Sequence, residues 1–175
     1  MSGIRNGRPS MRGSSRPRPT SGQPPTAPTY TGPVVFHTLP QHQAVRGRKK
    51  VLFVCIGNSC RSQMAEGFAK AYGHDVLDVY SAGLSPAMIV QDETFQTMLE
   101  RGVKLEGQFP KGIEMMVRAP FDVVVNMSGD VLPRMNAARI LEWKVRDPIG
   151  RSDEIYQEVA EQIERMVKGL IAELR

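Results

Sequence analysis

Residues 51–62 have the sequence VLFVCIGNSCRS, in which four apolar residues lead into a short loop of small and polar residues. Such an apolar run is typical of a buried β-strand, and the apolar residues that follow Ser62 recur with helical spacing. A loop that joins a strand to the N-terminus of a helix aims backbone N–H groups and the positive end of the helix dipole at one point. The stretch therefore predicts an oxyanion-binding loop at a strand-to-helix junction.

Two side chains of this loop, Cys55 and Arg61, carry its chemistry. The guanidinium of Arg61 offers a planar fork of donors to two oxygens of a tetrahedral anion, a geometry that lysine cannot match. The same positive field favours the thiolate form of Cys55, which is its nucleophilic form. The alternative, a buried structural cysteine in an ordinary turn, explains neither Arg61 nor the density of small polar residues. We therefore predict a cysteine nucleophile beside an oxyanion clamp.

The rest of the loop suits the same purpose. Gly57 and Asn58 accommodate the positive φ that tight loops often need. The hydroxyls of Ser59 and Ser62 can donate to the thiolate or hold the loop. Because successive N–H groups would wrap the anion, the whole loop is a predicted binding segment. It comprises Ile56, Gly57, Asn58, Ser59, Cys60 and Ser62 around the two reactive side chains.

Composition divides the chain in two. Residues 1–50 contain nine Lys and Arg, no Asp or Glu, and eight of the 13 prolines, whereas residues 51–175 carry 14 basic and 18 acidic side chains. Unbalanced charge with few apolar residues is typical of disorder. We therefore expect a disordered Arg- and Pro-rich tail over residues 1–46 and one folded domain over residues 47–175, a length that suits a single domain.

The basic tail has several interpretations. It is an arm attracted to nucleic acid or anionic lipid, an organelle transit peptide, an extension without selected function, or a solvated tail without a defined partner. The last is favoured, and nucleic-acid binding is not expected, because Tyr30 and Phe36 are its only aromatic residues. The tail's short apolar patch, Val34-Val35-Phe36, is too small to be a signal-peptide core, and no run in the chain has the length of a membrane span. With two cysteines and no disulfide framework, the cytoplasm is the expected location.

Strand and helix signals alternate over the remaining residues, which predicts an α/β layer fold. Residues 51–54 and 121–125 are nearly continuous apolar runs, which predicts central strands of a parallel sheet, buried on both faces. Residues 140–145 alternate apolar and charged side chains, which predicts an edge strand. Residues 76–81 form a weaker fourth strand.

Three helices are predicted between and after these strands. The first begins near Ser62, the second has Asp92 as its cap and stops at Gly102, and the third has Ser152 as its cap. Their predicted apolar faces are Met64, Ala65, Phe68 and Ala69 in the first, Phe95, Met98 and Leu99 in the second, and Ile155, Val159, Ile163, Met166, Val167, Leu170 and Ile171 in the third.

An acid is needed to complete the predicted chemistry. A thiolate that attacks phosphorus expels an alkoxide or phenoxide, which leaves poorly unless something protonates it. Asp147, followed by Pro148, comes after the predicted edge strand, and loops at the carboxyl ends of parallel strands meet at one rim of the sheet. Asp147 is therefore the candidate general acid; the alternative is that the Asp-Pro pair only initiates a turn.

Taken together, these segments resemble the signature of the low-molecular-weight protein tyrosine phosphatases and of the arsenate reductases that share their fold. The resemblance rests on residues 51–62 with Met64-Ala65-Glu66, on Ser81-Ala82-Gly83 and on Asp147-Pro148, which occur in the family's order. It covers about residues 49–175. It implies a single three-layer α/β domain with a four-stranded parallel sheet flanked by helices.

The resemblance also implies roles for individual residues. Cys55 is the implied nucleophile, Arg61 the oxyanion clamp, and Asp147 the acid and then the base. The implied supports are Asn58 and Ser81 for the loop and Ser62 for the departing thiolate. The implied reaction forms a phosphocysteine that water hydrolyses, and it requires no metal or organic cofactor.

Two departures separate the branches of this family. The phosphatases usually have proline after the Arg-Ser pair and aromatic residues after Asp-Pro, whereas this chain has Gln63 and Ile149. These features, with Trp143, are more similar to the arsenate reductases. The thioredoxin-coupled reductases use two further downstream cysteines, and this chain has only Cys55 and Cys60. A reductase of this sequence would therefore need an external low-molecular-weight thiol or a glutaredoxin-like partner.

We expect a phosphomonoester hydrolase that acts on a phosphorylated protein or a small aryl phosphate. The alternatives are an arsenate reductase and an oxyanion-binding regulatory module, because a fold alone does not fix a function. Cys60 is a candidate redox residue, since a bridge to Cys55 would reversibly remove the nucleophile. The alternative for Cys60 is an inert reduced thiol.

Overall fold

The computed structural model describes residues 47–175, so the predicted tail, residues 1–46, lies outside the described residues. The elements, in chain order, are β1 (Lys49–Cys55), α1 (Arg61–Gly73), β2 (Leu77–Gly83), α2 (Asp92–Glu100), a 3₁₀ turn (Ile113–Met115), β3 (Phe121–Asn126), β4 (Ala137–Glu142) and α3 (Asp153–Leu174). Strand and helix alternate as the sequence predicts.

The four strands form one parallel sheet in the order β2-β1-β3-β4. Val51 of β1 pairs with Val79 of β2 on one side and Val123 of β3 on the other. The predicted α/β fold with a four-stranded parallel sheet is confirmed, and β1 and β3 are the central strands. Both are almost completely buried, as expected for strands covered on both faces.

The two faces of the sheet are covered by different kinds of structure. On one face, Val51 and Phe53 pack with α1 and α3 in the larger apolar core. On the other face, Leu52 and Val54 pack with Ile113 of the 3₁₀ turn and with neighbouring loop residues. The helices and loops thus close around β1, and the segment that leaves β1 begins at the carboxyl edge of the sheet.

The first and third helices agree with the sequence interpretation. Helix α1 begins at Arg61, and its predicted apolar face is fully buried. Helix α3 has Ser152 at its N-cap position and buries Val159, Ile163 and Val167 among the predicted stripe. Across the described residues, none of the helices has the length and apolar composition needed to span a membrane.

The predicted apolar face of the second helix is right for Met98 but wrong for Phe95 and Leu99. Phe95 and Leu99 are 38% and 54% exposed, and the buried residues of α2 are Thr94, Thr97 and Met98. Helix α2 packs beside α1 and α3. The Thr94 hydroxyl donates to the carbonyl of Ser59 in the loop after β1. Polar side chains therefore occupy positions that a helix lying over the sheet would fill with apolar ones. Its N-cap is Gln91, and the predicted cap, Asp92, is its first helical residue.

The edge strand is shifted from its predicted place. Strand β4 spans Ala137–Glu142 instead of residues 140–145. The alternation that suggested the later range continues past the strand, because Trp143 still packs against the larger core and Val145 is buried. The Trp143 N–H donates to the carbonyl of Asn126, 2.8 Å away, which fixes this extension beside β3. The edge position itself is as predicted.

Candidate oxyanion-binding active site

The loop between β1 and α1 turns its carbonyl groups outward. Each carbonyl from Cys55 to Cys60 accepts a hydrogen bond from outside the loop or from the helix that follows. The donors are, in order, the N–H groups of Leu84, Ser85 and Ala87, the side chain of Gln63, the N–H of Gln91 and the N–H of Met64. Within residues 47–175, no N–H from Ile56 to Cys60 donates to a protein acceptor. The loop therefore presents a row of free donors on its inner side, as an anion-binding loop requires.

A cavity of about 150 Å³ lies inside this loop. It is lined by the loop itself and by Cys55, Arg61, Asp147 and Ile149. The structure thus brings Asp147 and Ile149 to the loop of Cys55 and Arg61, from a segment far away in the sequence. The volume suits a small tetrahedral anion, and among residues 47–175 no aromatic ring lines the cavity.

Asn58 is the hub of the loop. It is fully buried and has a φ of 48°, the left-handed conformation that asparagine tolerates better than most residues. Its side-chain Nδ2 donates to the hydroxyls of Ser62 and Ser81, each 2.8 Å away. Its Oδ1 accepts from the N–H of Lys111 at 2.7 Å. Gly57, by contrast, does not have the positive φ that we expected. A Cβ there would meet the Ser59 hydroxyl at 3.2 Å, so tight space is what favours glycine.

The Cys55 thiol is buried, and its Sγ lies 3.0 Å from the Ser62 hydroxyl. Because that hydroxyl already accepts a hydrogen bond from Asn58, its own hydrogen is free to point at the sulfur. Ser59, the other predicted donor to the thiolate, instead lies beside Cys60.

Arg61 is anchored by backbone carbonyls at the carboxyl edge of the sheet. Its Nη1 donates to the carbonyls of Met127 and Val145, at 2.8 and 3.3 Å, and its Nη2 lies 2.5 Å from Oδ2 of Asp147. Its Nε is buried and has no partner in the described part of the chain. A buried donor without an acceptor costs about 1–3 kcal/mol, a cost that an anionic oxygen bound to this N–H would remove.

Asp147 lies at the mouth of the cavity, and its side chain is 44% exposed. Besides the ion pair with Arg61, its Oδ1 accepts from the N–H of Ile149 at 3.2 Å. The carboxyl group is therefore held by contacts at both oxygens, in the wall of the cavity that Cys55 also lines. From this position it can exchange a proton with an oxygen that leaves the bound anion.

A buried polar network supports the loop from behind. The Ser81 hydroxyl accepts from Asn58 and donates to the carboxylate of Glu66. Glu66 in turn pairs with Lys70 at 2.5 Å and with Lys111 at 3.7 Å. Burial lowers the pKa of Lys111, and the neighbouring Glu66 carboxylate opposes that shift.

The sequence interpretation gave neither Glu66 nor Lys111 a role in this network. The i,i+4 spacing of Glu66 and Lys70 was a usable signal for their ion pair. Lys111 has no such signal, because only the tertiary structure brings it to the loop.

Cys60 is buried at the end of the loop, next to helix α1. Its Sγ is 3.7 Å from the hydroxyl of Tyr156, and burial raises the pKa of the Cys60 thiol. Burial likewise raises the pKa of Tyr156. Both Cys55 and Cys60 are free thiols. Within residues 47–175, no group of three His, Cys, Asp or Glu side chains is arranged to hold a metal ion.

Comparison with known proteins identifies the family. The sequence model of one protein family, low molecular weight phosphotyrosine protein phosphatase, matches residues 50–175. A glutaredoxin arsenate reductase from Synechocystis sp. is 39% identical over 130 residues, which cover 72% of this chain and 98% of that protein. An arsenate reductase from Halalkalibacterium halodurans is 36% identical over 132 residues, covering 69% and 94% of the two chains.

Solved structures agree with these relatives. An arsenate reductase in the phosphate-binding state is 38% identical, with a TM-score of 0.68 over 73% of this chain and 99% of that one. The tyrosine phosphatase Wzb from Escherichia coli K30, solved with sulphate, shares the fold at 19% identity, with a TM-score of 0.65 over 73% and 99% of the two chains. The chain therefore belongs to the low-molecular-weight phosphotyrosine protein phosphatase family, which the sequence motifs predicted.

Proposed function

We propose that this protein is an arsenate reductase that uses an external thiol. The observation that carries the proposal is its 39% identity to a glutaredoxin arsenate reductase over nearly the full length of that relative. The sequence motifs alone led us to expect a phosphomonoester hydrolase first and a reductase second. The names of the relatives favour the reductase.

The first step is capture of the anion. Arsenate is tetrahedral and anionic like phosphate, so the inward N–H groups of the loop and the guanidinium of Arg61 suit both. The sulfur of Cys55 then attacks arsenic, and an arsenate oxygen leaves as water with a proton from Asp147. The product is a covalent bond between Sγ and arsenic(V).

The second step is reduction. An external thiolate attacks Sγ of Cys55, the sulfur–arsenic bond breaks, and its electron pair stays on arsenic, which leaves as arsenite. Cys55 and the external thiol are now joined in a disulfide, which a second thiol reduces. Two thiols and one arsenate thus give one disulfide, one arsenite and one water, so atoms and electrons balance.

The external thiol is needed because of how the two cysteines are placed. Cys60 is buried, is contacted by Tyr156, and has a thiol whose pKa is raised, all of which disfavour it as an attacking thiolate. The chain has no third cysteine. A glutaredoxin-like protein or a low-molecular-weight thiol therefore completes the cycle. A cycle that returns Cys55 to its reduced form belongs in a reducing compartment, and we propose the cytoplasm.

The test is arsenate reduction with glutathione, a glutaredoxin and its recycling enzyme, followed as NADPH oxidation. We expect turnover by the wild type, none by Cys55→Ser, and near-wild-type turnover by Cys60→Ser. Hydrolysis of nitrophenyl phosphate without any arsenate reduction would contradict the proposal.

A second candidate function is hydrolysis of a phosphomonoester. It is favoured by Asp147, which lies at the cavity mouth, where it can protonate a departing alkoxide or phenoxide. The candidate substrates are a phosphorylated protein or a small aryl phosphate, and the intermediate is a phosphocysteine at Cys55. Ile149 offers no aromatic ring to stack on a phosphotyrosine side chain. Small aryl phosphates are therefore the better probe. Phosphate binding without either turnover would indicate a regulatory oxyanion-binding module.

A further inference from the structure

Gln63 is a fully buried amide that lies behind the anion-binding loop. Its Nε2 donates to the carbonyl of Asn58 at 2.9 Å and to the carbonyl of Phe109 at 3.1 Å. Its Oε1 accepts from Nε2 of Gln108 at 2.6 Å. Both amide hydrogens and the oxygen are therefore engaged, so this side chain has one defined position.

The Asn58 carbonyl differs from the other loop carbonyls in the kind of donor that holds it. The other carbonyls from Cys55 to Cys60 accept from backbone N–H groups, which no substitution other than proline removes. The carbonyl of Asn58 alone depends on a side chain. It also belongs to the residue with the costly left-handed φ of 48°. The outward orientation of this carbonyl therefore depends on the Gln63 side chain.

Residues 108–111, which we call the brace, connect Gln63 and the loop to neighbouring elements of the fold. Nε2 of Gln108 donates to the backbone carbonyl of Gln63 at 3.1 Å as well as to its side chain. The N–H of Lys111 bonds the side chain of Asn58, and the carbonyl of Lys111 accepts from the N–H of Gly83. The brace therefore joins the loop, helix α1 and the end of strand β2.

We propose that Gln63, fixed in place by Gln108, is a positioning residue for oxyanion binding. It holds the Asn58 carbonyl outward, so that the following N–H groups point at the anion. Neither residue touches the anion. The inference rests on the proposed function only in requiring that the loop binds a tetrahedral anion, whether or not arsenate is then reduced.

Inorganic phosphate is the probe for the first test, with binding measured by calorimetry on the full chain. Gln63→Met keeps the volume and removes both donors. We expect the dissociation constant for phosphate to rise about tenfold, since one lost donor releases a peptide group that several anion contacts depend on. Gln108→Met keeps Gln63 but removes a bond that holds its side chain, so this variant should raise the dissociation constant for phosphate about threefold.

Gln157→Met is the matched control. Gln157 also bridges two elements through its amide, accepting from Arg101 at 3.1 Å and donating to Glu100 at 2.6 Å, but it does not contact the loop. Its phosphate affinity should stay within about twofold of wild type. The double variant of Gln63 and Gln108 should bind phosphate no more weakly than Gln63→Met alone, because both residues act through the same bond.

A second readout separates positioning from a loss of stability. Iodoacetate carries a carboxylate that the loop attracts, whereas iodoacetamide is neutral, and both alkylate Cys55. If the loop of Gln63→Met is misaligned, alkylation by iodoacetate should slow selectively, so the ratio of the iodoacetate rate to the iodoacetamide rate should fall. A purely structural defect would change both rates alike.

Phosphate affinity within about twofold of wild type in Gln63→Met, or an unchanged ratio of alkylation rates, would overturn the inference. If Gln63→Met does not fold, the same two outcomes in Gln108→Met decide the question. Wild-type protein that binds phosphate but does not reduce arsenate would refute the proposed function and leave this inference standing.

Discussion

Gly83 is the glycine whose replacement should damage the active site most directly. It lies at the end of β2, where the anion-binding loop passes over it. The Cβ of an alanine there would lie 2.7 Å from the carbonyl oxygen of Ile56, 2.8 Å from the nitrogen of Asn58 and 2.9 Å from the carbonyl carbon of Gly57. All three are backbone atoms, so no flexible side chain can move aside.

The size of the effect follows from these distances. To go from 2.7 Å to the 3.4 Å of ordinary contact, the nearest loop atom must retreat by about 0.7 Å. Displacing catalytic groups by about 1 Å can cost about 100-fold in rate. We therefore expect Gly83→Ala to lower kcat/KM for arsenate by roughly 10- to 100-fold. Overpacking should also lower the free energy of unfolding by about 1–3 kcal/mol.

The control is Gly169→Ala, at an exposed position within α3 where a Cβ meets nothing within 4 Å. It should raise the free energy of unfolding by about 0.5–1 kcal/mol and leave turnover intact. The measurements are arsenate reduction, phosphate affinity and urea unfolding on both variants. Activity of Gly83→Ala within about threefold of wild type would show that the loop does not depend on this close approach.

Three further predictions concern the loop and its support. Arg61→Lys loses the unpartnered Nε donor and the Nη contacts that hold it in place, so the dissociation constant for phosphate should rise about 100-fold in calorimetry; a change below about fivefold would contradict the clamp. Glu66→Gln removes the carboxylate beside Lys111 and should lower the urea unfolding free energy by about 2–4 kcal/mol, partly restored in the double variant with Lys111→Met. An unchanged stability would refute this support role. Peroxide tests the predicted redox role of Cys60. Because burial raises the pKa of the Cys60 thiol, we expect little disulfide between Cys55 and Cys60 at pH 7 and more at higher pH, seen as the loss of two hydrogens in mass spectrometry; rapid bridging at pH 7 would contradict the need for an external thiol.

The sheet was predictable because its central strands leave a strong local signal. An apolar run such as residues 51–54 has few alternatives to a strand buried on both faces. Strand β4 was harder to delimit, because Trp143 and Val145 keep the inward alternation after the strand pairing has ended. Helix α2 misled the periodicity argument, since its contact with the loop uses a threonine hydroxyl.

The site was predictable to the extent that it is contiguous in sequence. Residues 55–62 lie in one segment, and Asp147 was found because parallel strands gather their carboxyl ends at one rim. Lys111 and Gln108 left no signal, because they reach the loop through an irregular segment whose path only the fold determines. Gln63 was visible as a departure from the phosphatase pattern. The partners of its buried amide could not be predicted, because the tertiary fold determines them.

The central claim is that Cys55 alone attacks the oxyanion and then forms a disulfide with an external thiol. Wild-type protein should be incubated with arsenate and glutathione, without glutaredoxin, and digested for peptide mass spectrometry. We predict a glutathione mixed disulfide on Cys55 that forms only when arsenate is present, with Cys60 unmodified. A mixed disulfide on Cys60, or labelling of Cys55 that does not depend on arsenate, would contradict the claim.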